Sequence, residues 1–132
     1  MFPHHTVVRL QDTDAAGILY FANQFRMIHE AYEELFDKIG FGFARLIKDC
    51  DFFLPIVHAE ADYTAPLSVG DKLEIIISIE KIGQTSFILN YRLTRAGQVV
   101  GTAKTVHVSI DKRTKGKISL PPPLREALTK VK

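Results

Sequence analysis

The chain is poor in cysteine, in net charge and in long apolar runs, and each shortage excludes something. Its only cysteine is Cys50, so no disulfide can form within the chain. That points to a reducing compartment, the cytoplasm, with Cys50 as a small core residue. The 17 Lys and Arg against 15 Asp and Glu leave a net charge of +2, too small to imply a nucleic-acid partner. No apolar run is long enough to span a bilayer, so no membrane partner is expected. The opening MFPHHTVVRL has neither the basic start nor the apolar core of a secretion signal. No repeat, low-complexity tract or linker divides the 132 residues, so residues 1–132 read as one domain. Metal-ligand spacing is missing too. His4 and His5 are adjacent, but no set of Cys, His and acid is spaced as a zinc site, so neither metal nor cofactor is expected.

What is present is a change of period. Residues 5–11, HTVVRLQ, read as a strand. In NQFRMIHEAYEELFDKIG, the residues Phe25, Ile28, Tyr32, Leu35 and Ile39 step by three and four, the stripe of an amphipathic helix. Asn23 is the expected N-cap and Gly40 the expected stop. Arg26, Glu30, Glu33, Glu34 and Asp37 lie largely off the stripe and read as a solvated face. A short helix is expected within GFGFARLIKDCD. Four strands follow. FLPIVHAEADYT has Pro55 near its start and Pro66 after its end. DKLEIIISIEKI places Leu73, Ile75, Ile77 and Ile79 on one face, and SFILNYRLTR does the same with Phe87, Leu89, Tyr91 and Leu93. VVGTAKTVHVSIDK completes the set, and the short links GQT and AGQ make the last three strands antiparallel hairpins. Pro121 to Pro123 lead into a C-terminal helix. The expected fold is α+β, a curved antiparallel sheet wrapped around one long helix. One helix covers one face of such a sheet. Thr102 and Lys104 thin the apolar pattern of the last strand, which marks it for edge pairing between subunits.

Several pieces carry a family resemblance. DTDAAGILYFAN just before a long helix, with PIVHAEADYTAPLSVGD after it, resembles the hotdog-fold acyl-CoA thioesterases of the 4-hydroxybenzoyl-CoA thioesterase type. The likeness runs from Val7 to about Leu120. Within that family, DTDAAGILYFANQF with HEAYEE, LPIVHA and AKTVHVSID are similar to the 1,4-dihydroxy-2-naphthoyl-CoA hydrolases of the phylloquinone and menaquinone pathway. The resemblance implies a cofactor-free hydrolase of an acyl-CoA thioester, with 1,4-dihydroxy-2-naphthoyl-CoA as substrate. It also implies a homodimer or homotetramer whose sites are completed across the subunit interface.

Thioester hydrolysis needs a carboxylate or base at the acyl carbon and a donor for the developing oxyanion. A helix N-terminus supplies free N–H groups and a partial positive charge. An acid in the loop before a helix therefore brings both needs together. In the resembled family the second acid of the DxDxxG element is catalytic, which falls on Asp14. The amide that meets the thioester carbonyl falls on Phe21. Gly17 lets the loop pass close to the ligand, and Asp12 is assigned to holding the turn through Asx bonds. Taken by itself the segment reads more simply as a turn with two structural acids; the flanking pattern carries the catalytic reading.

His29 falls near the edge of the helical stripe, close in azimuth to Phe25 and Phe36. In the aryl-CoA relatives a side chain at this position reads a ring hydroxyl, and an imidazole can bond a naphthol hydroxyl as donor or acceptor. A core-edge histidine bonded to a backbone carbonyl is the alternative. His58, after LPIV, corresponds to a recurring histidine of the naphthoyl group. His107, between Val106 and Val108, reads as core. Phe21, Phe25, Phe52 and Phe53 are candidates for a flat aromatic slot or for plain core. IGQT stands where the hydroxybenzoyl enzyme has a basic run, which leaves Lys81, Lys112, Arg113 and Lys115 as candidates for the coenzyme A phosphates. Two rivals remain beside this reading. One is a thioesterase for short aliphatic or hydroxybenzoyl groups. The other is a non-hydrolytic module that binds an acyl-CoA or an acyl carrier. A hotdog dehydratase is a third, but no matching His and acid pair is present.

Overall fold

The long helix follows its stripe. In the computed structural model, which describes residues 2–132, α1 (Ala22–Lys38) buries Met27, Ile28, Ala31, Tyr32, Leu35 and Phe36. Its cap is Phe21, not Asn23. Asn23 lies inside the first turn, and its Nδ2 donates to the Asp12 carbonyl at 2.9 Å. The loop recruits that side chain before the helix can use it. After Gly40, which takes a φ of +92°, a second helix, α2, spans Phe43–Asp49.

The strands are β1 (Phe2–Val7), β2 (Phe52–Phe53), β3 (Ile56–Tyr63), β4 (Lys72–Ile82), β5 (Ser86–Arg95), β6 (Gln98–Val108) and β7 (Ile110–Asp111), with α3 at Pro122–Val131. Five of them form one antiparallel sheet in the order β1-β4-β5-β6-β3. β2 and β7 form a separate two-stranded ribbon. The first strand ends earlier than expected: Val7 is its last residue, and Leu10–Asp12 form one 3-10 turn.

The core lies between α1 and one sheet face. Leu73, Ile75, Ile77 and Ile79 of β4 and Phe87, Leu89, Tyr91 and Leu93 of β5 are all buried there. Each such side chain contributes roughly 1.5–3 kcal/mol on leaving water. His107 belongs to this core as expected. Its ring stacks on Phe87 at 4.7 Å and lies 4.5 Å from the Tyr32 ring. Its Nε2 is 2.7 Å from Thr105 Oγ1, which is 2.8 Å from the Tyr91 hydroxyl. Loss of hydration, with His29 adding to it, pushes its pKa down to about 3.

Two contacts fix how α1 lies on the sheet. Glu34 Oε2 is 2.6 Å from His4 Nδ1 on β1, and Tyr32 meets His107 on β6. One flank of the helix thus faces β1. The other, which includes His29 edge-on to Tyr32 at 5.6 Å, faces the β6 and β3 side.

The last long strand is not an edge. β6 is paired on both sides, by β5 and by β3. Thr102 and Lys104 interrupt its apolar pattern because they face away from α1, where Lys104 pairs with Glu80 at 3.1 Å. The true edges are β1 and β3. β3 is exposed along almost its whole length, with Ile56, Val57 and Tyr63 on the surface. Among the described residues no helix is long and apolar enough to cross a membrane.

Candidate active site

The loop between β1 and α1 is anchored at Asp12, the one buried carboxylate among the described residues (2% exposed). Its Oδ2 accepts the Arg9 N–H at 2.8 Å, and its Oδ1 pairs with the Arg26 guanidinium. Its carbonyl accepts the Tyr20 N–H and Asn23 Nδ2, both at 2.9 Å. Asp12 therefore ties both ends of the loop to the first turns of α1. The Asx turn expected of Asp12 belongs instead to Asp14, because Asp12 turns inward to meet Arg26 and the Arg9 N–H. Asp14 Oδ1 accepts the Ala16 N–H at 2.8 Å and the Ile18 N–H at 3.4 Å.

Asp14 is exposed. Its backbone N–H donates to the Ile18 carbonyl at 2.9 Å, and its carbonyl accepts the Gly17 N–H at 3.0 Å. Gly17 takes a φ of +76° with open space around its Cα, a backbone state that an L side chain would strain. The far side of the loop is fixed to the chain after β3, where the Leu19 N–H donates to the Leu67 carbonyl at 2.7 Å.

The loop then enters α1 through Phe21. Among the described residues the Phe21 N–H has no hydrogen-bond acceptor, the ordinary state of an amide at a helix start. Beside it opens an apolar cleft of about 340 Å³, lined by Ile18, Leu19, Phe21, Gln24 and residues 63–67. The structure thus brings Asp14, Gly17 and Phe21 into one loop. Ile18, which pairs with Asp14, forms part of the cleft wall.

The two histidines are placed differently. His29 is half exposed on α1, with Nδ1 3.4 Å from Glu33. It stands on the flank that faces β6 and β3, beside Tyr32 and open to solvent in a single chain. His58 pairs in register with Val106 and bonds Glu60 at 3.0 Å, on the sheet face turned away from α1. One chain therefore does not bring His58 to the Asp14 loop.

The four phenylalanines do not form one slot. Phe21 has Tyr20 and Tyr63 as its aromatic neighbours, whereas Phe52 and Phe53 pair with β7. Two of the lysines considered for phosphates are engaged by their own chain. Lys112 Nζ donates to the carbonyls of Ile47 and Cys50 at the end of α2. Lys115 lies 4.6 Å over the Phe53 ring.

Comparison with known proteins bears on this geometry. Residues 8–128 match the family described as the thioesterase-like superfamily. The chain belongs to the thioesterase-like superfamily. A 1,4-dihydroxy-2-naphthoyl-CoA hydrolase from Nostoc punctiforme is 42% identical over 91% of this chain and 81% of its own. The crystal structure of a 1,4-dihydroxy-2-naphthoyl-CoA thioesterase from Synechocystis superposes with a TM-score of 0.91 at 35% identity, covering 97% of this chain and 95% of that one. A gentisyl-coenzyme A thioesterase structure superposes with a TM-score of 0.85 at 30% identity, covering 96% and 98%. The fold is accordingly the hotdog fold of such thioesterases.

Three features of this thioesterase-like chain carry no motif. Arg26 reads as a solvated residue yet holds Asp12. Gln24 stands one residue before the apolar stripe, four residues from Ile28, and is 1% exposed. Tyr63 ends β3 and donates its hydroxyl to the Phe21 carbonyl at 2.8 Å. The four-residue step from Gln24 to Ile28 was the one local signal for Gln24; nothing local marked the other two.

Proposed function

We propose that the protein is an acyl-CoA thioesterase that hydrolyses 1,4-dihydroxy-2-naphthoyl-CoA to the free acid and coenzyme A, a step of phylloquinone or menaquinone biosynthesis. The observation that carries the reading is one loop holding an exposed carboxylate, Asp14, and an unpaired amide, Phe21, at the start of a long helix. The acyl group is taken from the relatives named for it.

In this reading the thioester carbonyl oxygen accepts the Phe21 N–H, and the helix dipole favours the oxyanion. Asp14 then works at the carbonyl carbon. In one route its oxygen attacks, the C–S bond breaks with its electron pair going to sulfur, and water opens the resulting anhydride. In the other route Asp14 takes a proton from the attacking water. Single turnover in oxygen-18 water separates them, since label in the Asp14 carboxylate marks direct attack.

The active unit is a homodimer or larger homo-oligomer joined along β3, whose unpaired exposed edge supports this arrangement. His29 lies on the helix flank facing that edge and would bond a naphthol hydroxyl. His58 would serve a site only through a second copy. Gly17 keeps the loop close to the ligand.

A second reading follows from the gentisyl-coenzyme A relative, which makes a hydroxybenzoyl group the nearest competitor. Release of free thiol from a panel of acyl-CoAs tests the choice. The naphthoyl ester is expected to lead in kcat/KM by about tenfold or more. Preference for an aliphatic chain removes the naphthoyl substrate, and tight binding of every ester without thiol release supports the non-hydrolytic module instead.

A further inference from the structure

Gln24 and Tyr63 stand behind the start of α1. Gln24 Nε2 donates to the carbonyls of Asp62 at 3.3 Å and Thr102 at 3.2 Å, which face each other across the β3–β6 pair. Gly101 makes the room: a Cβ there would meet Gln24 Oε1 at 2.8 Å and Nε2 at 3.1 Å. Tyr63 bonds the Phe21 carbonyl, and its ring meets the Phe21 ring edge-on at 6.5 Å.

A buried amide costs free energy unless its groups are bonded, and a leucine would fill a similar volume without that cost. A glycine inside a strand also weakens the strand. The chain carries both features at one place. Gln24 resists rotation and sliding of the first helical turn on the sheet. Tyr63 holds the peptide that follows Phe21. An oxyanion donor is effective only when its position is fixed to within about 0.5 Å.

We infer that Gln24 and Tyr63 are positioning residues which, from β3 and β6, aim the Phe21 N–H at the thioester carbonyl. The inference rests on the hydrolase reading above. Neither residue is assigned contact with the reacting atoms; each acts through the turn that carries Phe21.

The test compares Tyr63→Phe, Gln24→Leu, Gly101→Ala and Asp14→Asn with the wild type on 1,4-dihydroxy-2-naphthoyl-CoA. It reads kcat, KM, thermal midpoint and assembly mass. Tyr63→Phe keeps the ring, and Gly101→Ala displaces Gln24 without changing it, its added Cβ also standing 3.2 Å from the Asp62 carbonyl that Gln24 bonds. Each is expected to lower kcat about tenfold or more, with KM within about twofold of wild type. The loss is to persist where the thermal midpoint and assembly mass are unchanged. The Tyr63→Phe/Gly101→Ala double variant is to lose less than the product of the single losses, because both act on one turn. Tyr63→Phe carries the test if Gln24→Leu does not fold. Wild-type kcat in Tyr63→Phe and Gly101→Ala, with Asp14→Asn inactive, overturns this inference and leaves the hydrolase reading standing. A loss that only tracks a lowered midpoint overturns it equally. Full activity in Asp14→Asn overturns the reading beneath it.

Discussion

β1 and β3 each leave a row of backbone groups unpaired at an edge of the sheet, yet the chain treats them differently. β1 carries Pro3, which has no N–H to offer. His4 is drawn to Glu34 on α1 at 2.6 Å, and His5 lies 3.7 Å from Glu74. That edge is blunted by charge and capped by the helix. β3 has no proline and no helix contact of that kind; its His58 and Glu60 pair with each other on the face turned away from α1, and Val57 is 60% exposed beside Ile56 at 41%. The candidate site lies at the β3 side, where Tyr63, the cleft and the start of α1 meet. One edge carries a proline and a contact to the helix, and the other leaves apolar side chains exposed beside the candidate site.

The largest expected effect comes from charging the open edge. Across the proposed symmetric interface along β3, Val57→Asp would set like charges against each other, which costs several kcal/mol. Sedimentation should show a monomer, and hydrolysis should fall with it. Thr6→Asp on β1 is the matched control and should leave the assembly mass unchanged. An opposite outcome in the two variants would invert the comparison.

Arg26→Ala is next. It strips the partner from the buried Asp12 carboxylate, at the junction of β1 with the loop. Urea unfolding should report a loss of about 2 kcal/mol, below that of a fully buried pair because Arg26 is itself 45% exposed and Asp12 keeps the Arg9 N–H.

His107, on the β3 side of the core, sets a pH dependence. Its folded pKa is about 3, against an ordinary value of 6.5. Below 6.5 the unfolded chain takes up a proton that the folded one does not. The contribution is therefore intact above pH 6.5 and is lost progressively as pH falls toward 3. By pH 5 the loss is about 2 kcal/mol. Urea midpoints at pH 7 and pH 5 should show it, and His107→Phe should flatten it.

The smallest effect belongs to the blunted edge. Glu34→Gln weakens the partly exposed contact to His4 and should cost about 0.5 kcal/mol, with no change in assembly.

The elements themselves were legible in the sequence. The stripe through Ile28, Tyr32 and Leu35, and the alternation through Leu73, Ile75 and Ile77, are periodic signals that burial on one face enforces. The reading of Asp14, Gly17 and Phe21 as a site comes only from the family pattern. What could not be read depends on contacts between distant residues. The partners of Gln24 lie 38 and 78 residues away, and that of Tyr63 lies 42 away. Local composition carries no trace of such pairs. The edge was misplaced for a related reason. Thr102 and Lys104 report which sheet face is wet, not which strand is outermost, and strand order follows from pairing across the whole chain. The Asx turn fell to Asp14 and not to Asp12 because Arg26, which holds the Asp12 carboxylate, sits on the next element.

The measurement that bears most directly on the central claim is the hydrolysis of 1,4-dihydroxy-2-naphthoyl-CoA by Asp14→Asn. The substitution keeps the side chain's shape and its acceptor for the Ala16 N–H, and removes the charge. A fall in kcat of about a thousandfold, with midpoint and assembly unchanged, is expected. Turnover near that of the wild type would contradict the account.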